Sequence, residues 1–220
     1  MRRFIILLMV CCLTGALPGQ ELQRKKVGVV LSGGGAKGFA HVGVLKVLEE
    51  AGIPIDYIAG TSMGAVVGGL YAAGYSSDLI DSLIKVQDWS YLMRDGIYWK
   101  HQHASRRDHQ NRYIISLPYQ LKFREKRGKV TLPPGVYAGQ NIYTLFLKLT
   151  VGYQHDLDFD DLPIPFGCVA ADVRSGKEVV LRKGSLPEAI RASMAIPGMF
   201  TPVEKGSMLL IDGGVINNFP

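Results

Sequence analysis

The chain has 220 residues, of which 47% are hydrophobic, 9% aromatic and 20% charged. This length suits one large domain or two small ones, and the composition is that of a globular protein, which excludes extensive disorder. Its 26 glycines follow no triplet repeat, which excludes collagen. The 25 Lys and Arg residues exceed the 19 Asp and Glu residues by only six. Without interleaved basic and aromatic residues, this surplus predicts mild attraction to anionic surfaces such as phospholipid and no nucleic-acid partner.

Residues 1–19 have the pattern of a signal peptide. Arg2 and Arg3 precede the apolar run Phe4–Leu13, and small residues that a signal peptidase accepts follow it. The run is shorter than the roughly 20 residues that span a bilayer. Removal of this segment leaves Cys168 as the single cysteine, so no intramolecular disulfide is expected. The sequence therefore predicts export through the inner membrane, to the periplasm, the outer membrane or the exterior.

Strands alternate with helices along the rest of the chain. Val27–Leu31 is a continuous apolar run typical of a strand buried on both faces. After a glycine turn, apolar residues recur at helical spacing from Ala40 until Gly52, and the same order of strand, turn and helix follows Pro54. The predicted elements, in chain order, are strand 27–31, turn 32–38, helix 40–51, strand 57–59, turn 60–64, helix 65–73, strand 164–171, strand 179–181, helix 186–194 and strand 208–211.

This alternation predicts a three-layer α/β/α fold with a mainly parallel sheet, in which ligands bind beyond the carboxyl ends of the strands. Both glycine turns fall at that edge. Residues 89–153 are less regular and are interpreted as an insertion or cap. The pattern stops eight residues after Asp212 without a closing helix or strand, so the domain 26–220 is expected to be truncated at its C-terminal end.

Gly60–Gly64 fits the pattern G-x-S-x-G, with Ser62 at its centre. A tight turn between a strand and a helix holds such a serine in a strained conformation, and the flanking positions require glycine because side chains there would collide. The amino end of the following helix also faces the negative charge that develops on an attacked carbonyl. Ser62 is therefore the candidate nucleophile. The alternative is a glycine-rich helix start that only packs closely on the sheet.

The turn Gly33–Gly38 admits three interpretations. The N–H groups of consecutive glycines can bind an acyl oxyanion. Gly33, Gly35 and Gly38 also fit the G-x-G-x-x-G pattern of dinucleotide sites, which need an acidic residue about 20 positions later. Asp56 has this distance but precedes the next strand instead of ending it. The third interpretation is a plain turn that requires positive φ.

Chain order restricts the choice of a base for Ser62. In α/β-hydrolases the nucleophile is followed by an acid and then by a histidine, whereas every histidine after Ser62 precedes Asp212. Asp212 ends an apolar strand, where its carboxylate could take the serine proton directly. We therefore predict a Ser62–Asp212 dyad in a partly desolvated site. The alternative for Asp212 is an Asp-Gly turn that caps the strand.

The segment that contains His101, His103, Asp108 and His109 is a possible metal site. Its spacing matches no recognised zinc motif. We predict no metal and no cofactor.

Three blocks of the sequence resemble the signature motifs of the patatin-like phospholipase family. They are the glycine-rich loop 33–38, the G-x-S-x-G segment 60–64 and the Asp-Gly-Gly segment 212–214, and the stretch 190–200 is also similar to family sequence. The resemblance covers residues 26–220 and implies a patatin-like acyl hydrolase domain.

The same resemblance assigns roles to individual residues. It implies Ser62 as nucleophile, Asp212 as base, and lipid acyl hydrolysis without a metal. The implied oxyanion donors are the amides of Gly33, Gly34 and Gly35, and the remaining motif positions are Lys37, Gly38, Gly60, Gly64, Gly213 and Gly214.

The resulting hypothesis is a phospholipase A or lysophospholipase that acts on phospholipid or another lipid ester at a membrane surface. Exported members of the family suggest a possible outer-membrane barrel domain downstream. Three alternatives remain open at this point: a serine esterase whose histidine base lies beyond residue 220, a dinucleotide-binding module, and a catalytically idle passenger of a barrel.

Overall fold

The computed structural model describes residues 24–97 and 135–220. The predicted signal peptide at residues 1–19 therefore lies outside the described residues, as do the histidine-rich segment and most of the predicted insertion. The strands are β1 Gly28–Leu31, β2 Tyr57–Thr61, β3 Gly135–Tyr137, β4 Leu157–Asp158, β5 Phe166–Asp172, β6 Lys177–Leu181, β7 Lys183–Gly184, β8 Gly198–Phe200, β9 Val203–Lys205 and β10 Met208–Asp212. The α-helices are α1 Ala40–Glu50, α2 Met63–Ala72, α3 Ser77–Val86, α4 Trp89–Met93, α5 Gln140–Leu149 and α6 Leu186–Ser193, and 3₁₀ turns span Gly35–Phe39, Phe159–Asp161 and Gly213–Val215.

Six strands form the main sheet, in the order β1-β2-β5-β10-β9, with β6 also paired to β5. The pairs β1·β2 and β2·β5 are parallel. β6 and β10 pair antiparallel to β5, and β9 pairs antiparallel to β10. Four of the six strands therefore point in one direction, so the sheet is mixed and mostly parallel.

Two strands share one edge of β5 and approach each other from opposite directions. β6 occupies the other edge along Cys168–Asp172. β2 pairs with Phe166–Val169 and β10 with Ala170–Asp172, and both must lie on the remaining edge because a strand has only two. Since β2 is parallel and β10 antiparallel to β5, their carboxyl ends meet. Ser62 directly follows β2 and Asp212 ends β10, so this junction brings the two residues together.

The direction of β10, the strand that ends at Asp212, differs from the sequence-based expectation. The alternating pattern predicted a mainly parallel sheet in which the strand ending at Asp212 delivers its carboxyl end to the same edge as the strand before Ser62. β10 instead runs in the opposite direction. Its pattern of apolar residues is compatible with either direction, because burial alone does not fix strand polarity.

The helix after β2 packs directly on the sheet because its residues are small. Residues 63–70 of α2 are all buried, and a Cβ atom on Gly68 would lie 2.8 Å from the side chain of Ile58. Gly69 makes the corresponding close approach to Ile190 of α6. The apolar core lies between these helices and the sheet. An open groove is lined by residues of β1, β2, β5 and β6.

The described parts of the predicted insertion pack against the main domain. The ring of Trp89 lies 4.8 Å from the ring of Phe39, measured between centroids. The carboxylate of Asp95 accepts the N–H groups of Gly139 and Asn141 and so caps the start of α5. Of the helices within residues 24–97 and 135–220, none has both the length and the apolar character needed to cross a membrane.

Candidate active site

Ser62 adopts a backbone conformation that serine rarely occupies. Its φ is 53° and its ψ is −119°, values that glycine takes readily and that cost other residues about 1–3 kcal/mol. The residue lies between the last residue of β2 and the first residue of α2, and only 6% of its surface is exposed. The strain is maintained because the strand before it and the helix after it are both packed in the core.

The glycines on either side of Ser62 allow this turn to form. A Cβ atom on Gly60 would lie 2.5 Å from the carbonyl oxygen of Gly64, and one on Gly64 would overlap the carbonyl group of Leu31. Because these obstacles are backbone atoms, a side-chain rotation cannot relieve the overlap. Both glycines are therefore required by the close approach of α2 to β1 and β2.

We expect Gly64→Ala to abolish soluble expression or to destabilise the protein by several kcal/mol, on the order of the larger overpacking effects in cores. Gly43→Ala is the matched control, since Gly43 is exposed in helix α1 and its Cβ would meet open space. There alanine should stabilise the protein by up to about 1 kcal/mol. Chemical denaturation of the two variants tests this, and equal stabilities would show that the turn can relax.

The side chains of Ser62 and Asp212 form a direct hydrogen bond. The Oγ of Ser62 donates to Oδ2 of Asp212 over 2.6 Å, which is the range of strong bonds between a hydroxyl and a carboxylate. The other carboxylate oxygen, Oδ1, accepts the N–H of Gly214 at 2.8 Å. Asp212 is therefore held at both oxygens, with one of them directed at the serine hydroxyl.

Burial affects the acidity of this carboxyl group. Asp212 is only 7% exposed, and desolvation raises its pKa because the charged form loses contact with water. The hydrogen bonds from Ser62 and Gly214 act in the opposite direction by stabilising the carboxylate. The net effect is a raised pKa of Asp212, so its carboxylate is more basic than that of an ordinary aspartate, as a general base requires.

The glycines after Asp212 let its strand turn close to β5. A Cβ on Gly213 would overlap the carbonyl of Val169, and one on Gly214 would lie 2.8 Å from the Oδ1 of Asn218. The 3₁₀ turn Gly213–Val215 starts here and supplies the N–H that holds Asp212.

The first glycine turn wraps around the start of α2. A Cβ on Gly33 would lie 3.1 Å from the Cβ of Ser62, and one on Gly38 would lie 2.6 Å from the Cβ of Met63. The turn therefore contacts both the nucleophile candidate and the residue after it. Lys37 lies in the same turn, and its side chain is exposed to solvent.

The three predicted oxyanion donors are not equivalent. The N–H of Gly33 already donates to the carbonyl of Asn218 at 3.2 Å, so in this structure it is engaged within the protein and does not point at an open position. Gly34 and Gly35 start the 3₁₀ turn, where N–H groups have no partner within the helix. Within the described residues, no acceptor bonds to either of these two amides. Gly35 has a φ of 55°, which favours glycine.

Two residues of the site were missed at the sequence level. Asn218 holds Gly33 through its backbone carbonyl and donates from its side-chain amide to the Gly33 carbonyl at 3.3 Å. His41 donates from Nε2 to the carbonyl of Ser32 at 2.9 Å, directly before the glycine turn. Both contacts join segments that are remote in sequence or separated by a turn, and no local motif indicates them.

A third missed residue is Ser193, which contacts the backbone of Ser62. It lies in the stretch 190–200, which is similar to family sequence but for which the sequence predicts no role. A small polar residue directly before the apolar residues Met194–Ile196 was the available signal.

The structure is incompatible with the dinucleotide interpretation of the first turn. Asp56 precedes β2, and because β1 and β2 are parallel, it lies at the opposite edge of the sheet from the glycine turn that follows β1. Its carboxylate accepts two hydrogen bonds from the guanidinium of Arg24, each at 2.7 Å, and one from the N–H of Val27. The bond from Arg24 is the main reason that the pKa of Asp56 falls to about 2. The carboxylate of Asp56 is therefore bonded to Arg24 and Val27, far from the place that the dinucleotide interpretation requires.

The remaining candidate groups are the thiol of Cys168 and the candidate metal ligands. Burial raises the pKa of the Cys168 thiol to about 12, which keeps it protonated and unreactive. Within residues 24–97 and 135–220, no three His, Cys, Asp or Glu side chains are grouped as metal ligands. The predicted candidates His101, His103, Asp108 and His109 lie outside this part of the chain.

The fold is that of the patatin-like α/β/α proteins. The crystal structure of VipD from Legionella pneumophila superimposes with a TM-score of 0.55 at 16% sequence identity, covering 90% of this chain and 47% of that one. The chain belongs to the patatin-like phospholipase family, whose model matches residues 29–220, and it is thus a member of a family of lipid ester hydrolases.

Two curated relatives contain a similar segment within much longer proteins. An uncharacterized NTE family protein of Mycobacterium tuberculosis is 31% identical over 206 residues, which are 94% of this chain and 29% of that protein. Lysophospholipase nte1 of Emericella nidulans is 33% identical over 200 residues, which are 90% of this chain and 11% of that protein. The chain thus spans less than a third of the length of either relative.

Proposed function

We propose that this protein is a serine-dependent lipid acyl hydrolase of the phospholipase A or lysophospholipase type. The observation that carries the proposal is the 2.6 Å hydrogen bond from the Oγ of Ser62 to Asp212, made by a serine at a strained turn. Ser62 attacks the ester carbonyl carbon while its proton passes to Asp212. The same proton then goes to the departing alcohol, and water hydrolyses the acyl-enzyme to release the fatty acid.

The N–H groups of the glycine turn stabilise the negative charge that develops on the carbonyl oxygen. The proposed donors are the amides of Gly34 and Gly35, together with that of Met63 at the start of α2, which follows the nucleophile as in other serine elbows. The amide of Gly33 is engaged by Asn218 and instead holds the turn in place. Each oriented donor in such a site stabilises the transition state by about 2.7–4 kcal/mol.

A dyad without histidine accords with the described surroundings. In this part of the chain, the hydrogen-bond partner of the Ser62 hydroxyl is a carboxylate. His41 is bonded to the Ser32 carbonyl through its Nε2. Asp212 therefore takes the place that histidine has in triads.

Family membership and the name of the Emericella relative support a glycerophospholipid or lysophospholipid as substrate. We propose that the enzyme meets this substrate at a membrane surface. Export and a downstream barrel domain stay predictions from the sequence.

Two measurements on the purified protein test the proposal. It should release fatty acid from lysophosphatidylcholine micelles or phosphatidylcholine vesicles without added metal, and a fluorophosphonate probe should modify Ser62, as located by peptide mass spectrometry. Probe attachment elsewhere, or turnover without modification of Ser62, would overturn the assignment. Absence of both labelling and turnover would favour the idle-passenger interpretation.

A further inference from the structure

The backbone of Ser62 is held by a side chain from a distant part of the sequence. The N–H of Ser62 lies one residue beyond the end of β2 and donates to the Oγ of Ser193 at 3.0 Å. Ser193 is the last residue of α6, and none of its surface is exposed to solvent.

The orientation of the Ser193 hydroxyl is fully determined by its partners. A hydroxyl has one proton, and the Oγ of Ser193 donates it to the carbonyl of Val169 on β5 at 2.6 Å. A lone pair must therefore face the N–H of Ser62. One hydroxyl thus joins α6, the middle of β5 and the serine elbow at the junction of β2 and β10.

The same segment also holds the second member of the dyad. The N–H of Asp212 donates to the carbonyl of Ala195 at 2.9 Å, only two residues after Ser193. Met194 and Ala195 are both buried. Ser193–Ala195 is therefore a short, rigid segment that fixes the main chain of both Ser62 and Asp212.

We infer that Ser193 is a positioning residue for the reaction, acting through the backbone of Ser62. It touches no substrate. Its hydroxyl holds the strained turn so that the Oγ of Ser62 stays 2.6 Å from Asp212. Without it, the N–H of Ser62 and the C=O of Val169 lose their partner in a dry environment, and the turn relaxes toward ordinary backbone angles.

The test is steady-state kinetics of Ser193→Ala with a soluble p-nitrophenyl ester. A displacement of the nucleophile by about 1 Å lowers the rate on the order of 100-fold, so we expect kcat to fall between about 10- and 100-fold while KM changes less than about threefold. The acid limb of the pH profile should move to higher pH, because a weaker bond from Ser62 stabilises the Asp212 carboxylate less.

Ser77→Ala is the matched control. Ser77 is also fully buried, and its hydroxyl donates to a carboxylate oxygen of Glu49 at the start of α3, away from the dyad. This variant should lose stability but keep the wild-type kcat and pH profile. If Ser193→Ala does not fold, Ser193→Cys replaces it, since the thiol has a similar shape and is a weaker hydrogen-bonding group. We expect the cysteine variant to show the same selective loss of kcat to a smaller extent.

The inference rests on the proposed function, but the two fail in different ways. If the wild-type protein neither hydrolyses esters nor labels at Ser62, the proposed function is wrong. If the wild-type protein is active and the Ser193 variants match Ser77→Ala in kcat, KM and pH profile, Ser193 has a structural role alone and the inference is overturned.

Discussion

Ser62→Gly and Ser62→Ala should both be inactive, and the glycine variant should be the more stable of the two by about 1 kcal/mol. Both substitutions remove the hydroxyl, so loss of the bond to Asp212 cancels in the comparison. What remains is the backbone, whose φ of 53° and ψ of −119° are easy for glycine and strained for alanine. In a domain of this size, the difference corresponds to about 2–4 °C in Tm.

The loss of activity should be on the order of 10⁴- to 10⁶-fold, as is found when the nucleophile of a serine hydrolase is removed. Gly43 in α1 provides the control for stability, because alanine is favoured over glycine in an ordinary helix. The order of stability should therefore be glycine above alanine at position 62 and alanine above glycine at position 43. Thermal unfolding of Ser62→Gly, Ser62→Ala, Gly43→Ala and the wild-type protein measures both orders of stability. The same order at both positions would show that the turn is not strained.

Asp212→Asn should lower kcat by roughly 10²- to 10⁴-fold, the usual contribution of a general base. Asparagine has nearly the same shape, and its Oδ1 can still accept the N–H of Gly214. It cannot take up the serine proton. Hydrolysis of a p-nitrophenyl ester measures the effect, and turnover near the wild-type rate would exclude Asp212 as the base.

The pH dependence of the wild-type enzyme should report the same group. The reaction needs the ionised carboxylate, so kcat/KM falls as the pH falls through the pKa of Asp212. Because burial raises this pKa, the acid limb should lie above the range of an ordinary aspartate. Stability has the opposite dependence. Between the pKa of the unfolded chain and the higher pKa of the folded one, the unfolded state holds fewer protons, so stability decreases as the pH rises. Asp212→Asn should remove this contribution.

Asp172→Asn is the matched control for Asp212→Asn. Asp172 is as buried as Asp212 and also ends a strand of the sheet. Its carboxylate accepts bonds from the hydroxyl and N–H of Ser175 and from the N–H groups of Leu209 and Arg174. It therefore fixes the turn between β5 and β6. The variant should keep its kcat and lose stability.

The two aspartates should also differ in the sign of their pH effects on stability. The bond from the Ser175 hydroxyl, followed by that from the Leu209 N–H, lowers the pKa of Asp172 to about 2. Its contribution is present above the ordinary aspartate pKa and is lost as the pH falls toward 2. Denaturation curves between pH 2 and pH 7 for both variants separate these effects.

Much of the candidate site was accessible from the sequence because its requirements are local. The collision between side chains at positions 60 and 64 depends on one strand, one turn and one helix, so five residues indicate the serine elbow. The order of the residues along these 220 positions, in which each histidine after Ser62 precedes Asp212, is likewise read without any tertiary contact. Together with the alternation of strands and helices, these features predicted the fold class and the pairing of Ser62 with Asp212.

The tertiary structure decided the features that depend on pairing between distant segments. An apolar strand can pair in either direction, and only the contacts with β5 show that β10 meets β2 at its end. The partner of the Gly33 amide and the engagement of Asp56 with Arg24 also follow from such contacts. Ser193 is the clearest case, because its hydroxyl acquires a role only where a helix, a strand and a turn meet. Sequence patterns record the steric needs of single segments, whereas hydrogen bonds between segments exist only once the chain has folded.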